Sequence, residues 1–267
     1  MTGIWGIVNV TPDSFSDGGR FAEPEHAIAH GISLCEAGAT VLDVGGESTR
    51  PGAERVDVAV EQQRVIPVIQ ELAARGIPVS VDTLNASTAV AAVQAGARIV
   101  NDVSGGLADP EMLVAVAESG ADFAIGHWRG PSDDMYARAE YRKAAREVAS
   151  ELRERVGKAA EAGIAPARLI VDPGIGFAKA GTQNWDVLRG LDDIKALGYR
   201  VLIGTSRKRF LSAALQGTGG AESDEARLDL ATAITSALAV RYGVWAVRVH
   251  NVEATRDALA IAHAWED

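Results

Sequence analysis

The chain has 267 residues, close to the roughly 250 that a barrel of eight strands and eight helices requires. Its net charge of −10 argues against nucleic acid as a partner, because such binding draws most of its affinity from cationic contacts to phosphates. No apolar stretch approaches the roughly 18 residues of a membrane span, and no basic leader precedes the first apolar run. We therefore expect a cytoplasmic protein that does not bind the membrane.

Eight short apolar runs, rich in β-branched residues, predict strands along the chain. A helix-length segment with a period near 3.6 follows each run, and the longest such region is predicted over Ala137–Ala162. This alternation predicts an α/β protein, a closed (β/α)8 TIM barrel that forms a single domain over residues 1–267. The predicted strands are Ile4–Val10, Thr40–Gly45, Pro78–Thr83, Arg98–Val103, Asp122–Trp128, Arg168–Gly174, Arg200–Ser206 and Trp245–Asn251.

An open, doubly wound sheet is the alternative arrangement for alternating strands and helices. The Gly-x-Gly-x-x-Gly turn that usually follows its first strand is missing from this sequence, so the closed barrel is favoured. Three helices are predicted to end at Gly38, Gly96 and Gly120, each just before the next strand, because glycine readily adopts the left-handed conformation that stops a helix.

Polar residues stand at the carboxyl end of every predicted strand. Barrel enzymes collect their catalytic residues at this end. Any one of these residues could be a structural hydrogen-bonding partner, but their presence on all the strands predicts an active site. In chain order they are Asn9, Asp43, Asp82, Asn101 with Asp102, His127, Asp172, Ser206 to Lys208, and Arg248 with His250.

The last two strands predict an anion site. Arg248 and His250 are two residues apart on one strand, so they face the same side and could grip one anion together. Lys208 follows the neighbouring strand, where barrels often bind phosphate.

The acidic and amide groups predict a second part of the site. Asp82, Asn101 and Asp172 suit a planar heterocycle that bears ring N–H and amino donors, although they could equally suit a sugar or a metal. Residue chemistry alone therefore predicts a phosphorylated small molecule that is rich in hydrogen-bonding groups.

Two glycine-rich segments follow the first two strands, Thr11–Gly19 and Gly45–Gly52. Both combine glycine with polar groups and one stiff apolar residue, a composition that predicts loops closing over a substrate. Ordinary solvent-exposed turns are the alternative interpretation.

Seven segments resemble the dihydropteroate synthases, in the same order and along nearly the whole chain, and the first two are signatures of that family. The resemblance implies a (β/α)8-barrel transferase of folate biosynthesis that joins a pterin diphosphate to p-aminobenzoate and releases pyrophosphate. The segments are Gly6–Gly19, Asp43–Gly52, Ser80–Thr83, Asn101–Ser104, Asp172–Phe177, Ser206–Lys208 and Val247–His250.

The same resemblance implies the residues of the pterin and diphosphate sites. Phe177 would line the wall of the pterin pocket, and Asn9 would bind Mg2+ together with the diphosphate. The residues expected to bind the pterin ring are Asp82, Asn101, Asp172 and Lys208. Those expected to hold the phosphates are Thr49, Arg248 and His250.

The p-aminobenzoate site is implied to lie on the two glycine-rich loops. Phe15 and Pro51 would clasp the aromatic ring, Arg50 would order the loop, and Asp17 would face the reacting methylene. The residues that the resemblance implies in catalysis are Asp17, Arg50, Lys208, Arg248 and His250.

Three positions depart from the family's usual pattern. Gly126 replaces a larger apolar residue, which predicts a looser pterin pocket or one filled by Trp128 or another side chain. Arg209 stands where many members have a serine, so either Arg209 or the backbone and helix dipole would hold the carboxylate of p-aminobenzoate. Asn251 replaces a frequent aspartate, and we expect little consequence.

Two other functions compete with this prediction. One is a methyltetrahydrofolate-binding methyltransferase domain, and the other is a pterin-binding protein without catalysis. The signature loops argue against the first, and the intact set of catalytic residues argues against the second. Family members are commonly homodimers, and the apolar stretch Leu230–Val240 could supply an interface or pack on the barrel.

Overall fold

The computed structural model describes residues 2–11, 22–47, 56–130, 139–216 and 224–266. Its eight strands are all parallel and close into a barrel in the order β1 to β8, with β8 paired to β1 through Trp5 and Arg248. The predicted barrel is confirmed. The strands are β1 Gly3–Asn9, β2 Val41–Gly45, β3 Val79–Asp82, β4 Ile99–Asp102, β5 Asp122–Gly126, β6 Leu169–Asp172, β7 Arg200–Ile203 and β8 Ala246–Val249.

Helices follow the strands and surround the barrel. The predicted helix over Ala137–Ala162 is shorter at its beginning, because the carboxylate of Glu147 accepts the backbone N–H groups of Arg142 and Lys143 and α5 starts only afterwards. The helices are α1 Ala22–Glu36, α2 Val58–Ala74, α3 Ala86–Gln94, α4 Met112–Ser119, α5 Ala144–Glu161, α6 Gln183–Arg189, α7 Leu191–Lys195, α8 Arg209–Gln216, α9 Glu225–Val240 and α10 Val252–Glu266.

The three predicted helix stops are confirmed. Gly38, Gly96 and Gly120 have φ of 113°, 112° and 77°, a conformation that is strained for residues with a side chain. Each glycine turns the chain into the strand that follows.

The interior of the barrel is layered, and the layering positions the site. An apolar plug fills its amino-terminal part, with Trp5 as its largest fully buried side chain. Because side chains alternate along a strand, residues two positions beyond the plug face the same interior. From Val41 this step leads to Asp43, from Ile99 to Asn101, from Ile170 to Asp172 and from Ala246 to Arg248. The plug consists of Trp5, Val41, Ile99, Ala124, Ile170, Leu202 and Ala246.

A second core lies between the strands and the helices and contains most of the buried apolar side chains, in keeping with a parallel sheet covered on its outer face. Within the described residues, no helix is long and apolar enough to cross a membrane. The cytoplasmic location stays a prediction.

Candidate active site

Four polar side chains form a buried layer directly above the apolar plug. The guanidinium of Arg248 donates from Nε to Oδ2 of Asp43 at 2.5 Å and from Nη2 to Oδ2 of Asp82 at 2.7 Å. Asn101 donates from Nδ2 to the same oxygen of Asp43 at 2.9 Å. Residues from β2, β3, β4 and β8 thus meet across the barrel, as the strand-end pattern predicts.

The charged side chains of this layer shift one another's pKa values. Burial opposes the charge of Arg248, but the carboxylates of Asp43 and Asp82 raise its pKa, so the guanidinium stays ionised. Burial raises the pKa of Asp82 to about 7 against the opposing effect of Arg248, and the nearby carboxylate of Asp43 raises it further. Asp82 therefore binds a proton more readily than an exposed aspartate does.

The turn after β6 carries the next pair of site residues. Asp172 ends β6, and its Oδ1 accepts the backbone N–H of Gly174 at 2.7 Å. Burial raises the pKa of Asp172, while the ammonium of Lys208 acts against the rise. Phe177 lies on the same turn, and Nζ of Lys208 is 4.7 Å from the centre of its ring. The structure thus brings Asp172, Phe177 and Lys208 together.

Lys208 reaches this turn from the segment between β7 and α8. Its ammonium also donates to the backbone carbonyl of Ile175. Burial lowers the pKa of Lys208 to about 8, with Asp172 opposing the change. Gly204 directly follows β7, and a Cβ added there would lie 3.8 Å from Nζ of Lys208. The absence of a side chain there leaves room beside the ammonium.

His250 follows β8 and has a different partner from Arg248. Its Nδ1 lies 2.8 Å from Oγ of Ser206, and its backbone N–H donates to the same oxygen at 3.1 Å. Arg248 instead points to the carboxylates of Asp43 and Asp82. Arg248 and His250 are therefore held separately in this structure.

The segment that carries Ser206 and Lys208 is anchored to α9. Arg207 has a φ of 55° and donates to both oxygens of Asp229, at 2.7 and 3.0 Å. Asn251 donates its amide to the same carboxylate at 3.2 Å. An aspartate at 251 would place a second carboxylate next to that of Asp229. The amide of Asn251 can instead donate a hydrogen bond to Asp229.

The expectation for Gly126 is wrong. A Cβ added at Gly126 would lie 2.4 Å from the backbone oxygen of Val103 and 2.5 Å from its Cα. The backbone of Val103 fills that space, so the glycine neither loosens the pocket nor leaves room for Trp128.

The remaining predicted residues divide into two groups. Asn9 ends β1 and is partly buried, and Arg209 is exposed at the beginning of α8. The other group consists of Phe15, Asp17, Thr49, Arg50 and Pro51, which lie outside the described residues.

Two of the predicted strand-end residues have partners that the sequence does not indicate, and a third polar residue lies outside the predicted set. Asp43 lies two residues beyond Val41, inside the barrel, where it pairs with Arg248. Ser206 contacts His250, a pairing that the spacing of the two residues does not indicate. Lys179, which is buried beneath the turn after β6, is absent from the residues that the sequence predicts.

Comparisons with known proteins agree with this geometry. The family model described as pterin binding enzyme matches residues 5–250. The chain is 50% identical over 263 residues to the dihydropteroate synthase of Mycobacterium leprae, covering 98% of this chain and 93% of that protein. It is 40% identical over 264 residues to the dihydropteroate synthase of Synechocystis, covering 98% of this chain and 90% of that protein.

Solved structures agree as well. The dihydropteroate synthase of Xanthomonas albilineans with 4-aminobenzoic acid superposes with a TM-score of 0.91 at 42% identity, over 99% of this chain and 93% of that chain. The same enzyme in complex with 7,8-dihydropteroate gives a TM-score of 0.87 at 40% identity, over 99% and 94% of the two chains. This chain belongs to the dihydropteroate synthase family of pterin-binding enzymes.

Proposed function

We propose that this transferase condenses 6-hydroxymethyl-7,8-dihydropterin diphosphate with p-aminobenzoate to give 7,8-dihydropteroate and pyrophosphate. The observation that carries the proposal is the set of buried acceptors at the barrel mouth, with Lys208 and Phe177 on one side. The Xanthomonas albilineans relative, solved with 4-aminobenzoic acid and with 7,8-dihydropteroate, supports the choice of second substrate and product.

The pterin ring matches this arrangement chemically. Its ring N–H and amino groups are donors, and ionised carboxylates accept hydrogen bonds more strongly than neutral groups do. Asp82 gives Oδ2 to Arg248, so its Oδ1 is the oxygen that we assign to the pterin, together with Asp172 and the side chain of Asn101. Lys208 supplies the donor for the pterin carbonyl, and Phe177 covers one face of the ring.

The leaving group is assigned to the residues at β8. His250 and Arg248 hold the phosphates together with Thr49, and negative charge grows there as the C–O bond breaks. Arg248 contacts Asp43 and Asp82 through Nε and Nη2, so Nη1 is the nitrogen that we assign to the diphosphate.

Asn9 fits a Mg2+ ion that arrives with the diphosphate. Its amide oxygen is a hard ligand at a partly buried strand end, and Mg2+ usually takes only one or two protein ligands beside phosphate oxygens and waters. Among the described residues, no group of three or more His, Cys, Asp or Glu side chains could hold a metal. When bound, the ion would neutralise the charge that develops on pyrophosphate.

The chemistry that suits these residues is a dissociative substitution. The C–O bond to diphosphate breaks first and leaves a cationic pterin methylene, which the carboxylate of Asp17 stabilises. The neutral aniline nitrogen then attacks the methylene carbon, and the new C–N bond forms before the nitrogen loses a proton to water or pyrophosphate. An amine nucleophile needs no strong base, so the site requires no Ser-His-Asp arrangement.

The p-aminobenzoate site is assigned to the mouth of the barrel. Phe15 and Pro51 clasp its ring, and Arg50 orders the loop around it. Arg209 is exposed at the first position of α8, so its guanidinium and the amino end of the helix are both available for the carboxylate.

A homodimer is proposed from the surface of α9 and α10. Three apolar side chains recur every four residues along α9, Leu230, Ile234 and Leu238, and each is at least half exposed at 62%, 51% and 53%. Ile261 and Trp265 on the neighbouring α10 are 71% and 85% exposed. A second copy of the chain would bury this patch, which supports the interface interpretation of Leu230–Val240.

Sedimentation tests the dimer. The unaltered chain should have the mass of two chains, and Ile234→Glu should have the mass of one. Val114→Glu, at an exposed apolar position on α4, is the matched control and should remain a dimer. A monomeric unaltered chain contradicts the proposal.

Pyrophosphate release tests the reaction. Pterin diphosphate should release pyrophosphate with Mg2+ and p-aminobenzoate present, and dihydropteroate should appear in equal amount. Pterin binding without any release would identify a binding protein. Methyl transfer from methyltetrahydrofolate to a corrinoid, without a need for Mg2+, would identify the methyltransferase.

A further inference from the structure

A buried lysine lies beneath the turn that carries the pterin-site residues. Lys179 is 1% exposed, and its ammonium donates to the backbone carbonyls of Gly174 and Phe177, at 2.9 Å each. Its third contact is Nδ1 of His127 at 3.1 Å. An ammonium has three N–H donors, and all three have an acceptor here.

The position of the proton on His127 follows from its other neighbour. Nε2 of His127 lies 2.9 Å from a carboxylate oxygen of Glu151. Burial would raise the pKa of Glu151, but hydrogen bonds from His127 and Arg129 lower it to about 2, so the carboxylate is ionised and can only accept. Nε2 therefore carries the proton. Burial and Lys179 lower the pKa of His127 to about 4, which leaves Nδ1 as an acceptor for the ammonium.

The turn held by Lys179 has an unusual backbone. Gly174, Gly176 and Ala178 have φ of 63°, 85° and 47°, and alanine rarely adopts a positive φ. Gly174 packs so closely on His127 that an added Cβ would lie 2.2 Å from the His127 carbonyl oxygen. A strained turn of this kind persists only where its surroundings determine it. The two carbonyls that converge on Lys179 are part of those surroundings.

The contacts of Lys179 extend through His127 and Glu151 to the segment between β5 and α5. Glu151 accepts from Nε of Arg129 at 3.0 and 3.1 Å, and the guanidinium of Arg129 lies 3.8 Å from the centre of the Tyr141 ring. Lys179, His127, Glu151 and Arg129 thus form a continuous chain of alternating donors and acceptors. It connects the turn after β6 with the segment that follows β5.

We propose that Lys179 is a positioning residue for the pterin site: through neutral His127 and Glu151, its ammonium fixes the turn that presents Asp172 and Phe177 to the substrate. The inference rests on the proposed pterin-binding role of those two residues. Lys179 itself acts through the backbone and touches no substrate in this assignment.

The contact between Lys179 and His127 requires a proton between them. Burial lowers the pKa of Lys179 to about 7, and Lys208 and Arg129 add to this effect, while Asp172 and Glu151 oppose it. These charged groups face the ammonium from β6, α5 and the segments after β5 and β7. When the proton leaves, the amine keeps only two N–H donors for three acceptors, so the turn loses one of its supports.

Nitrogen NMR of the unaltered protein tests the proton arrangement. Histidine labelled with 15N should give, for His127, a protonated Nε2 and an unprotonated Nδ1 between about pH 5 and 6.5, with His127→Gln used to assign the signals. The Nδ1 signal should then shift as Lys179 titrates. A neutral ring with its proton on Nδ1 overturns the proposal, and this readout needs no variant at residue 179.

Binding to a pterin without diphosphate tests the positioning role. Lys179→Met should weaken the affinity at least tenfold, while kcat at saturating substrate should fall less than threefold. The matched control is Lys158→Met, which removes an exposed lysine of α5 that pairs with Glu161 and should leave affinity unchanged. Circular dichroism identifies unfolded protein, for which the NMR result alone decides.

Asp172→Asn separates this inference from the proposed function. If Asp172→Asn weakens pterin binding and folded Lys179→Met does not, the positioning role is wrong and the pterin site stands. If neither variant weakens binding, the pterin site itself is wrong, and the inference fails with it.

Discussion

The side-chain oxygen of Ser206 contacts both Nδ1 and the backbone N–H of His250, at 2.8 and 3.1 Å. Through these two contacts Ser206 fixes the orientation of the imidazole of a residue that we assign to the leaving group.

Ser206→Ala should release this constraint on His250. The loss of one neutral hydrogen bond is typically about 1 kcal/mol, or roughly fivefold in rate. We expect kcat to fall by about that factor with little change in the affinity for a pterin lacking diphosphate, and Ser206→Thr to restore most of it. Steady-state kinetics and calorimetry measure the two quantities. In a His250→Ala background, Ser206→Ala should have almost no further effect, and an additive loss would show that Ser206 acts elsewhere.

Asp172→Asn should prevent useful pterin binding. A carboxylate that accepts two N–H groups is replaced by an amide, which must place a donor against a donor. Losing a hydrogen bond to a charged group typically costs about 1.5–3 kcal/mol, so the affinity should fall at least tenfold. Calorimetry with a pterin that lacks diphosphate measures this. An affinity within about twofold of the unaltered chain removes Asp172 from the pocket.

Much of this site follows from the sequence, and the reason is periodicity. The alternation of side chains along a strand places Asp43, Asn101 and Asp172 inside the barrel as soon as the strands are recognised. Periodicity does not predict which of the acidic side chains inside the barrel will pair with a given cationic side chain. The contact of Arg248 with Asp43 spans 205 positions and depends on the closure of the barrel.

Backbone packing limits prediction in a second way. Gly126 gave a wrong expectation because the space beside it is occupied by main-chain atoms of Val103, which no side-chain pattern encodes. The sequence pattern gives no indication of a role for Lys179, because its partners are two carbonyls and a histidine 52 positions away.

Arg248→Ala and His250→Ala should both slow turnover, since both residues are assigned to the leaving group. The structure predicts a difference between them. Arg248→Ala leaves the buried carboxylates of Asp43 and Asp82 without their partner, a loss that typically destabilises a protein by about 3–5 kcal/mol. His250→Ala leaves both of these carboxylates paired with Arg248. We therefore expect Arg248→Ala, but not His250→Ala, to lower the Tm and to weaken pterin binding.

The pH dependence of stability provides a check on Arg248→Ala. Unpaired buried carboxylates bind protons more tightly in the folded than in the unfolded state, so the free energy of unfolding decreases as the pH rises. Thermal melts of Arg248→Ala should therefore show a larger decrease of Tm between about pH 5 and 8 than melts of His250→Ala. Equal decreases would mean that Arg248 does not stabilise these acids.

The loss of the proton from Lys208 should lower kcat/KM for pterin diphosphate at basic pH. Burial lowers the pKa of its ammonium to about 8, so the charged donor assigned to the pterin carbonyl predominates below that pH. As the pH rises through this value, a neutral amine, which is a weaker donor, replaces it. We expect kcat/KM for pterin diphosphate to fall above about pH 8, because this ratio reports the ionisation of the free enzyme. Lys208→Arg keeps its charge at all these pH values, so its lower activity should lack this limb. Lys179→Met should retain the limb, which separates the two buried lysines. If Lys208→Arg loses activity over the same pH range as the unaltered chain, the titrating group is not Lys208.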